Sequence, residues 1–330
     1  MATTVNNAFE EFMRDSVNLI PEKTSMARRS RDNLINNING FSEEDDFFSI
    51  YSNKNLKYGS FARKTKIREL DDIDLMICLS AEGGVRTYVE YTDCIYMFGS
   101  DADRRNGLIT SGTDYLNSTK IINRFIKKLS ALSDYSKAEL HKNQEAVTLQ
   151  LKSYTWNFDI IPCFYTDREF YLIPDGAGNW KKTDPRIDSN RITEINQKHN
   201  GKLLELIRLV KYWNNRKVTL KIGSYLLECM ILEIYENMSA SNKWWIDLGF
   251  KDVLYRLSEA IKYDVNDPKG MQGNINNFDI YDRIKISNAL CMAHEKAAEA
   301  ANYERQGEQK RAIETWGDIL GLEFPEYTGN

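Results

Sequence analysis

The sequence predicts an α+β fold, a mixed sheet with helices followed by a lobe made of helices. Three observations predict it. Residues 71–79 (DDIDLMICL), 145–152 (EAVTLQLK) and 155–164 (TWNFDIIPCF) are short apolar or alternating runs of strand type. From about Asp188 onward apolar residues recur at helical spacing, most clearly in LLELIRLVKYWNN (203–215) and GSYLLECMILEIYENM (223–238). Between the two patterns lies IPDGAGNWKKTDPR (173–186), dense in Gly, Pro and Asp, which reads as a long connection and the boundary between lobes.

Taken in order, residues 7–18 form a short amphipathic helix. Pro21 then opens a long helix at a position where its missing N–H would be unpaired in any case, and Gly40 stops it. The strand at 71–79 alternates and then turns fully apolar, as a strand covered on both faces does. Residues 80–114 are polar and contain Gly, and read as an insertion or loop; 117–137 read as helix. The tail from Ile284 to Leu320 reads as two helices broken near Gly307.

Composition bounds the function. The 330 residues carry a net charge of −4, and 42% are hydrophobic, enough for a substantial core. A protein that coats duplex nucleic acid usually has a strongly basic balance, so small anionic ligands in a local basic site fit better. The five cysteines, Cys78, Cys94, Cys163, Cys229 and Cys291, form no CxxC pair, which excludes a zinc ribbon and points to reduced thiols. His141, His199 and His294 show no triad or metal spacing. There is no signal-peptide pattern and no apolar run approaching the ~20 residues that span a bilayer, so a soluble, cytoplasmic protein is expected.

The chemistry concentrates in YGSFARKTKIRELDDIDLMICL, residues 58–79. Asp72 and Asp74 flank Ile73 on a predicted strand, so both carboxylates point to one face while Ile73, Leu75 and Ile77 face the core. Adjacent carboxylates repel, and a divalent cation between them relieves the repulsion. Asp159, in the apolar run WNFDIIP, is the candidate third ligand, because an unpaired charge there would be costly. Gly59 and Ser60 offer a close backbone approach, N–H groups and a hydroxyl to a phosphate. The pattern is not a Walker A loop, since a strand rather than a helix follows.

This order of motifs resembles the polymerase-β-like nucleotidyltransferase superfamily, and more narrowly the bacterial relatives of animal cyclic GMP-AMP synthase and oligoadenylate synthase (the CD-NTases). KIINRFIKKL (120–129), WKKTDPRID (180–188), LIRLVKYWNN (206–215) and GSYLLE (223–228) extend the resemblance over most of residues 50–235. The resemblance implies N-terminal helices over 1–40 bracing both lobes and a nucleotidyltransferase core over 41–175. An oligoadenylate-synthase-like helical lobe over 176–330 follows, with the active-site cleft between the lobes. It also implies roles. Ser60 binds a phosphate of the donor triphosphate, Asp72 and Asp74 hold two Mg²⁺ ions (Mn²⁺ substituting), and Asp159 completes the ion that activates the attacking hydroxyl. Lys211 reaches the triphosphate, Ser224 touches phosphate and Tyr225 stacks on a base. Arg63 and Lys66, just after the Gly-Ser pair, help hold phosphate.

Several of these residues have simpler readings. Lys211 on an amphipathic helix can be a solvated lysine, Tyr225 a core residue, and Ser224 a helix-capping group after Gly223. Trp180, Lys181, Lys182, Asp184 and Arg186 either border the cleft or form a solvated turn with a structural Asp-Pro. The expected function is synthesis of a cyclic di- or oligonucleotide, purine-containing and of cyclic GMP-AMP type, from ATP, GTP or other triphosphates, in bacterial anti-phage signalling. A downstream effector senses the product, and control is constitutive or through a regulatory protein partner. No DNA or RNA template, no membrane and a monomeric state are expected. The alternatives are a linear oligoadenylate synthase, a tRNA-directed nucleotidyltransferase and an inactive nucleotide-binding module.

Overall fold

The computed structural model describes residues 2–43, 47–82, 86–92, 94–217, 220–240 and 243–329. The strands are β1 (Leu56–Tyr58), β2 (Asp72–Leu79), β3 (Tyr88–Glu90), β4 (Ile95–Met97), β5 (Glu139–Asn143), β6 (Ala146–Gln150), β7 (Asn157–Tyr165), β8 (Tyr171–Pro174) and β9 (Trp180–Thr183). The helices are α1 (Val5–Phe12), α2 (Pro21–Asn39), α3 (Gly59–Ala62), α4 (Asp101–Arg105), α5 (Ser118–Ala131), α6 (Pro185–Lys198), α7 (Leu203–Lys217), α8 (Ser224–Glu236), α9 (Ile246–Ala260), α10 (Ile280–Arg305) and α11 (Gln309–Leu320). The α+β expectation holds. Among the described residues no helix is long and apolar enough to cross a membrane.

The chain groups into two compact units rather than three consecutive stretches. One comprises Pro21–Arg63 and Leu70–Arg186; the other comprises Met1–Ile20, Lys64–Glu69 and Ile187–Asn330. The first unit is a sheet of order β1-β2-β7-β8-β9-β4-β3, with β6 paired to β7 and β5 to β6. Its spine is the parallel pair β2–β7, in register from Asp72↔Asn157 to Leu79↔Phe164. Both strands turn fully apolar after their first residues, and Leu75, Ile77, Ile160 and Cys163 are fully buried. On its other side β7 pairs with β6 at its start and β8 at its end, both antiparallel. Helix α5 packs on this region through Ile121, Ile122, Phe125 and Leu129, and the Asn117 side chain caps it by accepting from the Lys120 N–H.

The second unit is helical. α1 is capped by Thr4 and buries Val5, Ala8, Phe9 and Phe12. Phe9 meets Trp316 edge-on at 5.0 Å and Phe324 at 5.1 Å, and Phe12 meets Tyr212 at 5.0 Å. That aromatic packing is why residues 1–20 group with the C-terminal helices, while α2 groups with the sheet. α8 is buried around most of its circumference, which explains its nearly unbroken apolar sequence.

Two stretches differ from expectation. Residues 80–114 are not simply loop: β3, β4 and α4 lie within them. Strands of three residues are too short to show a period, and β4 finds its partner in the distant β9, at Ile95↔Trp180. Residues 173–186 are not a long connection but the end of β8, a tight turn, β9 and the start of α6. In the turn, Asp175 Oδ1 accepts from the N–H groups of Ala177 and Asn179 at 2.8 and 2.9 Å, and Gly176 and Gly178 take positive φ. The Gly and Asp density therefore encodes a hairpin.

Candidate active site

The site in the sheet unit is built on the start of the β2–β7 pair. Asp72 and Asp74 are half-buried while Ile73 between them is buried, and in β7 Asn157 and Asp159 flank the buried Phe158 in the same way. The register sets Asp72 beside Asn157 and Asp74 beside Asp159. Four oxygen-bearing side chains thus occupy a two-by-two patch on adjacent strands, on the face that continues into the buried cluster of Met76, Cys78, Ile161 and Cys163. Residues 85 positions apart in sequence are brought together at Asp74 and Asp159 by this register.

Neighbouring strands complete the patch. Tyr58 of β1 pairs with Asp74, and its phenol is pushed well up by burial first and then by the negative charges of Asp74 and Asp159. Thr148 of β6 pairs with Asp159, and its hydroxyl donates to Asp159 Oδ1 at 2.6 Å. Gly59, immediately after Tyr58, has φ +74°, and a Cβ there would fall inside the van der Waals radius of Asp74 Oδ2. Only glycine allows the backbone turn that opens α3 to lie against that carboxylate. Ser60 and Arg63 follow, both half-buried.

Among the described residues no three His, Cys, Asp or Glu side chains are drawn together as metal ligands are. The donor set nonetheless fits a hard cation. Every candidate donor is an oxygen, and the Asn157 side-chain oxygen, in register with Asp72, is buried with no hydrogen-bond partner.

In the helical unit the expected residues stand differently. Lys66 is half-buried in the segment after α3, between the buried Thr65 and Ile67. Ser224 is exposed in the first turn of α8, next to Gly223. Lys211 on α7 is only 4% exposed and donates to Glu228 Oε1 on α8 at 2.8 Å. That oxygen also accepts from the Thr65 hydroxyl at 2.8 Å. The Tyr225 hydroxyl lies 2.9 Å from Asp188 Oδ1 and 3.0 Å from Asp267 Oδ1, and the Lys269 ammonium donates to it while standing 4.3 Å from the ring centroid. Burial first, then Cys229 and Asp188, push the Tyr225 phenol up. Burial pushes Asp267 upward, but Lys269, the Met271 N–H and the Tyr225 hydroxyl together outweigh it and hold the carboxyl below its ordinary value.

The residues of 180–186 take structural partners. Trp180 is fully buried and its indole N–H donates to Leu116 O at 3.0 Å. Lys181 pairs with Glu145 at 3.2 Å and Lys182 with Glu90 at 2.5 Å. Arg186 grips both oxygens of Asp184 at 2.8 Å.

Sequence reasoning passed over Tyr58, Thr148, Asn157, Glu228 and the Asp188–Asp267–Lys269 group. Tyr58 and Asn157 carried a local signal, one preceding Gly59 and the other standing two residues before Asp159 on the same strand face. Thr148 and Glu228 carried none, because their partners come from other elements.

The fold is that of a nucleotidyltransferase of the cyclic nucleotide synthase kind, as the comparisons show. No protein-family model matches the chain. A probable cyclic nucleotide synthase of Bacillus cereus (strain VD146) is 43% identical, over 99% of this chain and 99% of that protein. A cyclic AMP-AMP-AMP synthase of an Acinetobacter strain is 26% identical over 59% of this chain and 58% of that protein. The solved structure of CdnC from Escherichia coli MS115-1 with ATP matches with a TM-score of 0.71 at 16% identity, over 97% of this chain and 98% of that one. The chain belongs to the bacterial CD-NTases, the nucleotidyltransferase family of cyclic nucleotide synthases.

Proposed function

We propose that this protein joins nucleoside triphosphates, without a template, into a cyclic di- or oligonucleotide second messenger, releasing pyrophosphate, and that it serves bacterial anti-phage signalling. The observation that carries the reading is the register of Asp74 with Asp159, which sets two carboxylates side by side with Asp72 one alternation away. Family membership supports it through the full-length match to a probable cyclic nucleotide synthase.

In this reading Asp72, Asp74 and Asp159, with the Asn157 oxygen beside them, hold two Mg²⁺ ions. When bound, such a pair supplies charge stabilisation for the attacking and leaving oxygens of an in-line displacement at phosphorus. The protein's own part is positioning. The Gly59–Ser60 turn offers backbone N–H groups and a hydroxyl to the triphosphate. Arg63 and Lys66 add positive charge near it, and Ser224 gives a second hydroxyl. Thr148 fixes the rotamer of Asp159 through its hydrogen bond. Tyr225 offers its ring to a base, held by Asp188, Asp267 and Lys269. Lys211 contributes as the counter-charge of Glu228.

The product we propose is purine-containing and of cyclic GMP-AMP type. The resemblance to a cyclic AMP-AMP-AMP synthase favours an all-adenosine product as the second reading. Incubation with each labelled triphosphate in turn, then phosphatase treatment and chromatography, separates the two. A phosphatase-resistant product that incorporates both ATP and GTP label supports the first, and one that incorporates ATP alone supports the second. Absence of pyrophosphate release with all four triphosphates and Mg²⁺ or Mn²⁺ defeats both.

A further inference from the structure

Strand register carries the polar face of the sheet beyond the acids. Read across the strands, Tyr58 (β1), Asp74 (β2), Asp159 (β7), Thr148 (β6) and His141 (β5) are register partners in one row. Asp72, Asn157, Gln150 and Glu139 make the next row. Register partners share a face, and the Thr148–Asp159 hydrogen bond shows it for β6 and β7. All of these residues belong to the sheet unit.

The β5–β6 hairpin therefore has two unlike faces. On one, Val147 and Leu149 are fully buried, and Lys142 donates to the Thr119 hydroxyl of α5 at 2.9 Å. On the other, Glu139, His141 and Gln150 are exposed and extend the acid patch toward β5. Strand spacing sets the backbone at Gln150 about 5 Å from Asn157, and at His141 about 10 Å from Asp159. The two ends of the rows also differ in charge. At the β1 end the chain runs from Tyr58 into the Gly59–Ser60 turn, with Arg63 after it. At the β5 end the exposed members are an imidazole, a carboxamide and a carboxylate, with no lysine or arginine in either row. The first end suits phosphates; the second suits the sugar and base of a nucleotide. An imidazole ring can stack on a base, and a carboxamide both donates and accepts hydrogen bonds.

In an in-line displacement the entering and leaving oxygens lie on opposite sides of the phosphorus. In the proposed reaction pyrophosphate leaves on the Gly59–Ser60 side of the carboxylates, so the attacking hydroxyl comes from the side of β6 and β5. We infer that Gln150 and His141 bind the acceptor nucleotide: Gln150 hydrogen-bonds its sugar or base edge, and His141 stacks on its base. The inference rests on the proposed function and names, within that site, the place of the second substrate.

The test uses the full-length protein with Mg²⁺ and two triphosphates that cannot exchange roles, each prepared with adenine and with guanine. A 2′,3′-dideoxynucleoside triphosphate donates but has no ribose hydroxyl to attack with. An α,β-methylene triphosphate accepts but cannot release pyrophosphate. KM is read for each from the joined product. His141→Ala and Gln150→Leu are each expected to raise the acceptor KM about tenfold, with the donor KM within twofold of wild type and the melting temperature unchanged. His141→Tyr, which keeps a ring, returns the acceptor KM to within threefold of wild type. An acceptor KM unchanged in both His141→Ala and Gln150→Leu, a donor KM that rises in parallel with it, or a His141→Tyr variant as impaired as His141→Ala overturns the inference and leaves the proposed function standing. A wild type that releases no pyrophosphate from any of the four natural triphosphates removes the proposed function, and this inference with it.

Discussion

The carboxylates of the β2–β7 pair and the polar side chains of α7 and α8 were both expected to meet substrate, yet they are held in opposite ways. Asp72, Asp74 and Asp159 stay half-exposed near the starts of β2 and β7. Lys211 and Glu228 are 4% and 2% exposed and satisfy each other. A half-exposed patch of acids at the start of two strands suits a ligand from outside the chain, whereas a buried lysine beside a glutamate does not call for one. The proposed function gives the first arrangement a ligand and the second an architectural part, and the comparison can be broken or sharpened by substitution.

The largest effect is expected at the acids. Asp74→Asn should lower turnover about a thousandfold with little loss of fold, measured as pyrophosphate release beside a thermal melt. Because Asp74 is half-exposed, a stability loss that accounts for the whole effect would move it into the architectural class.

Next comes the buried pair. Lys211→Met leaves Glu228 buried without its counter-charge and should cost about 3–5 kcal/mol in urea unfolding, while Lys211→Met with Glu228→Met together should recover most of that loss. If the single variant is stable and only triphosphate KM rises, Lys211 belongs with the ligand-facing residues after all.

Smaller effects are expected from residues that support each side. Thr148→Val removes the donor to Asp159 and should reduce turnover about 10–100-fold, as loss of a group that orients a metal ligand typically does. Tyr225→Phe keeps the ring and loses the hydroxyl network, so stability should fall by about 1–2 kcal/mol, with triphosphate KM changed less than in Tyr225→Ala.

The smallest is a pH effect. The carboxyl of Asp267 lies below its ordinary value of 3.8 in the folded state. A lowered folded value means that the unfolded chain takes up the proton first as pH falls. The associated stability is therefore fully present above about pH 4 and is lost on acidification below it. Asp267→Asn should flatten the acid limb of a stability–pH profile, and an unchanged limb would show that Lys269 does not hold this charge.

The same contrast explains what could be read in advance. The placement of Asp72, Asp74 and Asp159 on strands was legible because alternation on a strand is local, and because a charge among Phe158, Ile160 and Ile161 interrupts an apolar run. Gly59 was legible as a close approach, though not that its neighbour would be Asp74. The Lys211–Glu228 pairing was not legible because the partner lies 17 residues away on another helix, and helical periodicity does not reveal which face meets which. The hairpin at 171–183 was hidden by the resemblance between a tight Gly-Asp turn and a flexible linker; only the β8–β9 pairing tells them apart. The helical packing of residues 1–20 depends on Phe9 and Phe12 meeting Trp316 and Phe324 from the far end of the chain, information no local window contains.

The most direct test is one assay run on two proteins. Wild type and Asp159→Asn are incubated with Mg²⁺ and labelled triphosphates, treated with phosphatase and resolved by chromatography. The β2–β7 account expects a phosphatase-resistant product from the wild type and none from the variant, with equal melting temperatures within a few degrees. Equal product from both proteins would contradict it.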